Sequence, residues 1–226
     1  LTVVRKGETK PLEIKMKRDI IKIQSVFAKT IENENLLYLR IASFDTKVTE
    51  DLEKIITENK NAKGLILDLR NNPGGLLSQA IGTVNLFVDK GIIVSQKGRN
   101  AEDEEKFEAV ASKMKTKLPL VVLVNEGSAS ASEIVSGSLQ DHKRAIIIGE
   151  KTFGKGSVQA VLPIDNEKSE NIKLTIAKYY LPSGRTIQAT GVTPDIVVSS
   201  GKVTQDEDNK VKIKEADLKK HLEGRS

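Results

Sequence analysis

Three glycine-containing turns in this 226-residue chain hold the residue types that catalysis draws on. The first is Asp68-Leu69-Arg70-Asn71-Asn72-Pro73-Gly74-Gly75. A buried strand runs into paired glycines at a helix start. Glycines let the backbone approach a ligand, and free N–H groups there favour an anion. Read alone, the segment is also what a tight strand-to-helix turn looks like. The second is Asn125-Glu126-Gly127-Ser128-Ala129-Ser130-Ala131-Ser132-Glu133. A serine on a sharp strand-to-helix turn is presented as a nucleophile, with the next N–H placed for an oxyanion. The same residues also read as a helix cap, since Ser130 and Glu133 fit the Ser-x-x-Glu capping box. Spacing does not choose among Ser128, Ser130 and Ser132 as nucleophile.

The third turn is Gly149-Glu150-Lys151-Thr152-Phe153-Gly154-Lys155-Gly156-Ser157. Its first seven positions fit a phosphate-binding loop. Gly156 stands where that motif needs Ser or Thr for Mg²⁺, and a strand rather than a helix follows, so the motif fails. A lysine between two glycines has a flexible backbone and can enter a cleft. Desolvation there favours the neutral amine that a general base needs. The bland alternative is a solvent-facing loop lysine. A serine hydrolase needs a nucleophile, a base and oxyanion donors. The chain has no Cys and only two His, His142 and His221. That excludes a cysteine nucleophile, disulfides and a Cys- or His-rich metal site. A Ser–Lys pair is the most economical assignment.

The elements that position these turns follow from hydrophobic periodicity. Gly64–Leu69, Leu118–Val124 and Ala145–Ile148 are near-continuous apolar runs, as expected of strands buried on both faces. Helical spacing appears at 48–59, with Thr46 or Thr49 as cap, at 76–88, and at 129–140 with Ala131, Ile134, Val135 and Leu139 on one face. Leu36–Phe44 and Ile92–Ser95 are further strands. Residues 101–117 are highly charged and read as an exposed helix or connection. Ser157–Ile164 and Ile172–Leu181 alternate as antiparallel strands, with a polar loop at 165–170 and a last short strand at Ile196–Val198. Repeated strand–helix–strand units mean an α/β core with parallel strands and crossover helices. Leu1–Arg5 and Leu12–Arg18 read as a hairpin, residues 25–35 as a polar linker, and 201–226 as a charged tail with one short helix at 215–222.

Composition narrows the function. Lys plus Arg is 36 and Asp plus Glu is 31, a net charge of +5 with no long basic block. Aromatics are 4% and Trp is absent. Neither a clustered basic face nor stacking platforms point to nucleic acid. The 38% hydrophobic fraction is enough for a core. No apolar run reaches membrane-spanning length, and no signal peptide is present. The chain begins within a strand-like pattern, so it reads as an excised piece whose preceding part could have carried a targeting segment.

The turns also carry a resemblance. Residues Gly127–Ile134, Leu139-Gln140-Asp141, Arg144-Ala145 and Gly149–Gln159 follow, in order and spacing, the pattern of the carboxy-terminal processing peptidases, or tail-specific proteases. So do Asp68–Leu76, Tyr179–Arg185 and Gly191–Asp195. The resemblance covers residues 36–200. It implies a ClpP/crotonase-like α/β core with a C-terminal antiparallel β section. It makes Ser130 the nucleophile, Lys155 the general base and Gln159 the residue that orients Lys155. Ala131 N–H and a glycine N–H from Gly74 or Gly75 become the oxyanion donors, so the Gly74-Gly75 turn is expected to face Ser130.

The same resemblance divides the chain into 1–24, a remnant of a PDZ domain; 25–200, a serine protease core; and 201–226, the tail. It implies protein or peptide substrates with apolar C-terminal ends, no metal or organic cofactor, and export to the periplasm or cell envelope. A homo-oligomer is left open. Two other classes are weighed against an endopeptidase: a catalytically silent peptide-binding or scaffolding module, and a crotonase-like enzyme acting on an acyl thioester. The intact Ser130, Lys155 and Gln159 argue against the first. The absence of any feature for an adenine nucleotide argues against the second.

Overall fold

The computed structural model describes residues 1–17, 24–164, 170–199 and 214–217. Its core is a six-stranded sheet built from apolar runs too short for helices. Along the chain these are β3 (Val26–Ile31), β4 (Leu36–Ile41), β5 (Gly64–Asp68), β8 (Leu120–Val124), β9 (Ile146–Gly149) and β12 (Ile196–Val197), in the spatial order β12-β9-β8-β5-β4-β3. All neighbours are parallel except the β3–β4 edge pair. Three helices, α1 (Val48–Glu58), α2 (Leu77–Asn85) and α3 (Ala131–Asp141), make the crossovers. Leu39, Leu67, Val122 and Ile147 stand in cross-strand register and are fully buried. Ile66, Val121 and Ile148 on the alternate face are only half-buried. Burial on both faces was expected; one face is sealed.

A second sheet, of order β10-β11-β6-β7, is antiparallel. It joins β10 (Ser157–Pro163) and β11 (Asn171–Tyr180) to β6 (Ile92–Lys97) and β7 (Glu104–Glu108). The antiparallel section expected at the C-terminal end thus draws two strands from mid-chain. The charged stretch read as a helix or connection contains β7, flanked by single 3₁₀ turns at Ala101–Asp103 and Ala111–Lys113. Its charges are cross-strand partners: Lys97 lies opposite Glu104 and forms a 3.5 Å ion pair with it. Phe107 packs on the core. Charge density alone looks like a solvated helix, but alternation about Phe107 was the strand signal.

The polar linker expected at 25–35 is also a strand, β3. Its Val26-Phe27-Ala28-Lys29-Thr30-Ile31 sequence is largely apolar; the polar part of the stretch is the turn Glu32–Asn35 that leads into β4. Neither Thr46 nor Thr49 caps α1. The N-cap is Lys47, and Asp45 Oδ1 accepts the Lys47 N–H at 3.0 Å. At the N-terminus β1 (Thr2–Val3) and β2 (Leu12–Glu13) pair antiparallel as a separate two-stranded sheet, shorter than the hairpin expected. The polar loop expected at 165–170, apart from Glu170, and the tail, apart from 214–217 with a 3₁₀ turn at Glu215–Asp217, lie outside the described residues. Among the described residues no helix is long and apolar enough to cross a membrane.

Arg144 fastens the end of the sheet where β8 and β9 begin. Its Nε donates to Phe87 O at 2.9 Å, and its Nη2 donates to Thr116 O at 3.2 Å and Leu118 O at 2.8 Å. These carbonyls have no ladder partner in the parallel sheet, so a planar cation satisfies several at once. Arg144→Ala is expected to cost about 2–3 kcal/mol in urea unfolding. Arg144→Lys should recover only part of it. Amide exchange at residues 125–131, at the opposite strand ends, should not change.

Candidate active site

The three turns leave the C-terminal ends of β5, β8 and β9, which are adjacent and parallel. Ligand sites of open α/β sheets form at such ends. Side chains stitch the first two turns together. Asn71 N–H donates to Asn125 Oδ1 at 2.8 Å, and Asn125 Nδ2 donates to Asn71 Oδ1 at 2.9 Å. Ser128 Oγ donates to Leu69 O at 2.8 Å and Ser132 Oγ donates to Asn72 O at 2.9 Å. Ser128 and Ser132 are fully buried. Their hydroxyls are therefore spent on the neighbouring turn.

Ser130 differs. It is half-exposed, and its φ of 55° and ψ of −112° place an ordinary L-residue in left-handed backbone at the N-cap of α3. Such strain persists only where surrounding contacts enforce it, and a nucleophile elbow is one such setting. Among the described residues no hydrogen bond ties its hydroxyl to another turn. This choice among three serines was not available from spacing.

The Gly74-Gly75 turn does face Ser130. A Cβ on Gly74 would lie 2.9 Å from Ser130 Cβ and 3.1 Å from Ala131 N, with φ at +106°. Only glycine fits that approach. The Gly74 N–H, however, is already given to Asn72 Oδ1 at 2.9 Å. Gly75 is exposed, and among the described residues its N–H and that of Ala131 carry no hydrogen bond. The two unspent donors are thus Gly75 and Ala131.

At the start of the first turn, Arg70 grips Asp68 with Nε at 3.0 Å and Nη2 at 2.7 Å, and Tyr38 Oη donates to Asp68 at 2.6 Å. Burial pushes the Asp68 carboxyl up, but the bonds from Arg70 and Tyr38 outweigh it and hold the group below its ordinary range. Burial, and then the Asp68 carboxylate, push the Tyr38 hydroxyl up.

The third turn is held by a residue that the sequence marked only as a cap. Glu133, fully buried, accepts the Ser130 N–H at 2.8 Å and the Lys155 N–H at 2.9 Å on Oε2. Its Oε1 accepts Thr152 Oγ1 and the Gly154 N–H, both at 2.6 Å. One carboxylate therefore carries the backbones of both Ser130 and Lys155. Burial pushes its pKa above the ordinary 4.5, and four donors pull it back only part of the way. No sequence rule links Glu133 to residues around 154; only the fold does.

Lys155 itself is half-buried, and among the described residues no hydrogen bond joins its ammonium to Ser130 or to Gln159. Gln159 is exposed on β10, just past a bulge between Val158 and Gln159. His142 lies elsewhere, with Nε2 2.7 Å from Ile92 O. His221 falls outside the described residues. Among the described residues no cluster of three His, Asp or Glu side chains could hold a metal ion.

The profile of peptidase family S41 matches residues 35–198, well over half of the chain. The chain belongs to that family. It is 45% identical over its full length to the carboxy-terminal-processing protease of Bartonella bacilliformis, of which it covers 52%. It is 40% identical, over 82% of its length, to the carboxy-terminal processing protease CtpA of Bacillus subtilis, of which it covers 39%. Among solved structures, the photosystem II D1 C-terminal processing protease superposes with a TM-score of 0.69 at 32% identity, covering 84% of this chain and 52% of that one. The chain spans about half, or less, of the length of these relatives.

The S41 core should thus depend on Glu133. In Glu133→Gln an NH₂ group would face two N–H or O–H donors, leaving buried donors unpaired, at a cost of about 2–4 kcal/mol. The folded-state pKa lies above the unfolded one, so the folded chain binds more protons between the two. Glu133 therefore contributes most below pH 4.5, and its contribution falls as pH rises from there through the raised value. The gap in unfolding free energy between wild type and Glu133→Gln should narrow over that window. Urea titrations at stepped pH measure it.

Proposed function

We propose that this chain is the proteolytic core of a serine endopeptidase that processes proteins from their C-terminal ends. The observation that carries the reading is Ser130. It is half-exposed and held at left-handed φ, next to the unspent N–H of Ala131 and facing the Gly74-Gly75 turn, whose Gly75 N–H is also unspent. Lys155 is brought to the same carboxylate as Ser130 through its backbone.

In this mechanism neutral Lys155 Nζ takes the Ser130 Oγ proton as Oγ attacks a peptide carbonyl. The Ala131 and Gly75 N–H groups stabilise the oxyanion. Lys155 then returns the proton to the leaving amine, and an acyl-enzyme remains. Water, activated by the same amine, releases the new C-terminus and regenerates Ser130. Gln159 orients Lys155 once the side chains engage. Substrates are proteins with apolar C-terminal ends, met outside the cytoplasm in the periplasm or cell envelope, as the family kinship suggests. No organic cofactor enters the scheme.

One observation favours a second reading. Lys155 Nζ and the Ser130 hydroxyl are not hydrogen-bonded, which suits either a catalytically silent module or a resting protease. A serine-reactive phosphonate separates these, because only a protease labels at Ser130.

Ser130→Ala is expected to lower cleavage of an unfolded protein by on the order of 10³-fold or more, with the fold intact. Lys155→Met should do the same and slow phosphonate labelling, while His142→Ala keeps activity. Mass spectrometry of the cleaved protein reads all three. Wild-type cleavage by Ser130→Ala, with loss in Ser128→Ala or Ser132→Ala, would refute the nucleophile. Loss in His142→Ala with full activity in Lys155→Met would restore a histidine base.

A further inference from the structure

The loop Thr152–Gly156 has glycines on both sides of Lys155, with Gly154 at φ +100°. Such a segment has little side-chain packing to fix it, so hydrogen bonds set its place. Most come from the core. Glu133 takes Thr152 Oγ1 and the Gly154 and Lys155 N–H groups. Phe153 N–H donates to Ser128 O at 3.1 Å, Ala189 N–H donates to Gly154 O at 2.8 Å, and Tyr179 N–H donates to Gly156 O at 2.7 Å. Gly156 N–H donates to Oε1 of the fully buried Gln188 at 2.9 Å.

The Phe153 carbonyl is served from elsewhere. It accepts the N–H of Glu215, at 3.2 Å, from the 3₁₀ turn Glu215–Asp217 near the end of the chain. The Glu215 side chain meets a partner of the same loop, since Gln188 Nε2 donates to Glu215 Oε1 at 3.4 Å. Gln188 thus spans the two, holding Gly156 with its carbonyl and meeting Glu215 with its amide. The turn closes on itself: Lys214 N–H donates to Asp217 Oδ2 at 2.9 Å, and Asp217 N–H donates to Lys214 O at 2.9 Å.

We infer that Glu215 is a positioning residue for Lys155, through a C-terminal latch that closes the far side of the lysine loop. Glu133 fixes the loop from the serine side, and Glu215 fixes it from the tail side. The loop backbone sets the point from which the four-carbon stem of Lys155 must reach Ser130, so a backbone displacement at Phe153 shifts the range of positions open to the amine. A misplacement of about 1 Å can cost up to about 10²-fold in rate. This role rests on the proteolytic reading of Ser130 and Lys155, while the latch itself does not.

Three variants of the full chain test it. Glu215→Pro removes both the N–H and the carboxylate, and proline is tolerated at the first position of a helical turn. Glu215→Ala removes only the carboxylate. Glu215→Gln keeps the N–H and an acceptor oxygen. Turnover of an unfolded protein is measured with Ser130→Ala as blank, and amide exchange is followed by mass spectrometry. Glu215→Pro should lower kcat about tenfold with KM changed less than about twofold. It should speed exchange in peptides covering 152–157 and leave those covering 36–58 unchanged. Glu215→Ala should fall between, and Glu215→Gln should stay within about twofold of wild type. Wild-type kcat and exchange in Glu215→Pro would overturn the inference. So would equal losses in Glu215→Gln, or exchange raised throughout the chain. No Ser130-dependent turnover in wild type would instead overturn the proteolytic reading, and exchange at 152–157 would still decide whether Glu215 holds the loop.

Discussion

A single buried carboxylate organises this site. Glu133 has no exposed surface, and it accepts from Ser130, Thr152, Gly154 and Lys155. A carboxylate taken out of water is tolerable only when its oxygens are hydrogen-bonded, and here both are. Satisfying that demand fixes geometry. The donors come from the start of α3 and from the loop after β9, so the burial of Glu133 brings two distant turns together. Cutting one donor would leave charge unpaired in the interior, which is why the arrangement resists partial failure.

The glycines serve the same closeness from the other side. A Cβ on Gly74 would press on Ser130 and Ala131, one on Gly75 would meet Phe44 O at 2.3 Å, and one on Gly149 would meet Val124 O at 1.9 Å. Each glycine sits where a strand end must touch a neighbouring backbone. The parallel sheet brings three chain reversals to one edge, and the missing side chains let them interlock. Hydroxyls of Ser128 and Ser132 then peg the first turn to the second. Of the three serines, only Ser130 has no hydroxyl bond to the neighbouring turn; it sits in a capping box with Glu133 at the start of α3.

Much of this was legible in the residues, and the parts that were not share a cause. Apolar runs such as Leu120–Val124 announce buried strands, because a short continuous apolar run rich in β-branched side chains needs no distant information. Paired glycines after such runs mark the turns. What failed was read from polarity. The linker reading of 25–35 followed the polar run Glu32–Asn35 and passed over Val26, Phe27 and Ile31 of an edge strand, while Glu104–Glu108 looks like a solvated helix yet is a strand, since cross-strand ion pairs let charge sit on a sheet. Within the site, Gly74 and Gly75 could not be told apart as oxyanion donors. The difference lies in Asn72, whose side chain claims one N–H and leaves the other. The Glu133 contacts were beyond reach for the same reason, because a residue's partners across 19 or more positions are set by topology.

Rigidity is distributed unevenly across the three turns, and that distribution fits their separate tasks. The oxyanion turn and the serine turn are cross-linked by amides and hydroxyls with short arms, so neither can shift without the other. The lysine loop is held through its backbone and the Thr152 hydroxyl, by Glu133 and Gln188 from the core and by Glu215 at the Phe153 carbonyl. Its side chain is left to rotate. In the proposed mechanism the base must find the serine hydroxyl, then the leaving amine, then a water, and a fixed backbone with a mobile amine suits that sequence. The unengaged Lys155 side chain is therefore consistent with a complete site. In that proposed mechanism Lys155 Nζ reaches for Ser130 Oγ from a backbone that Glu133 already ties to the Ser130 N–H.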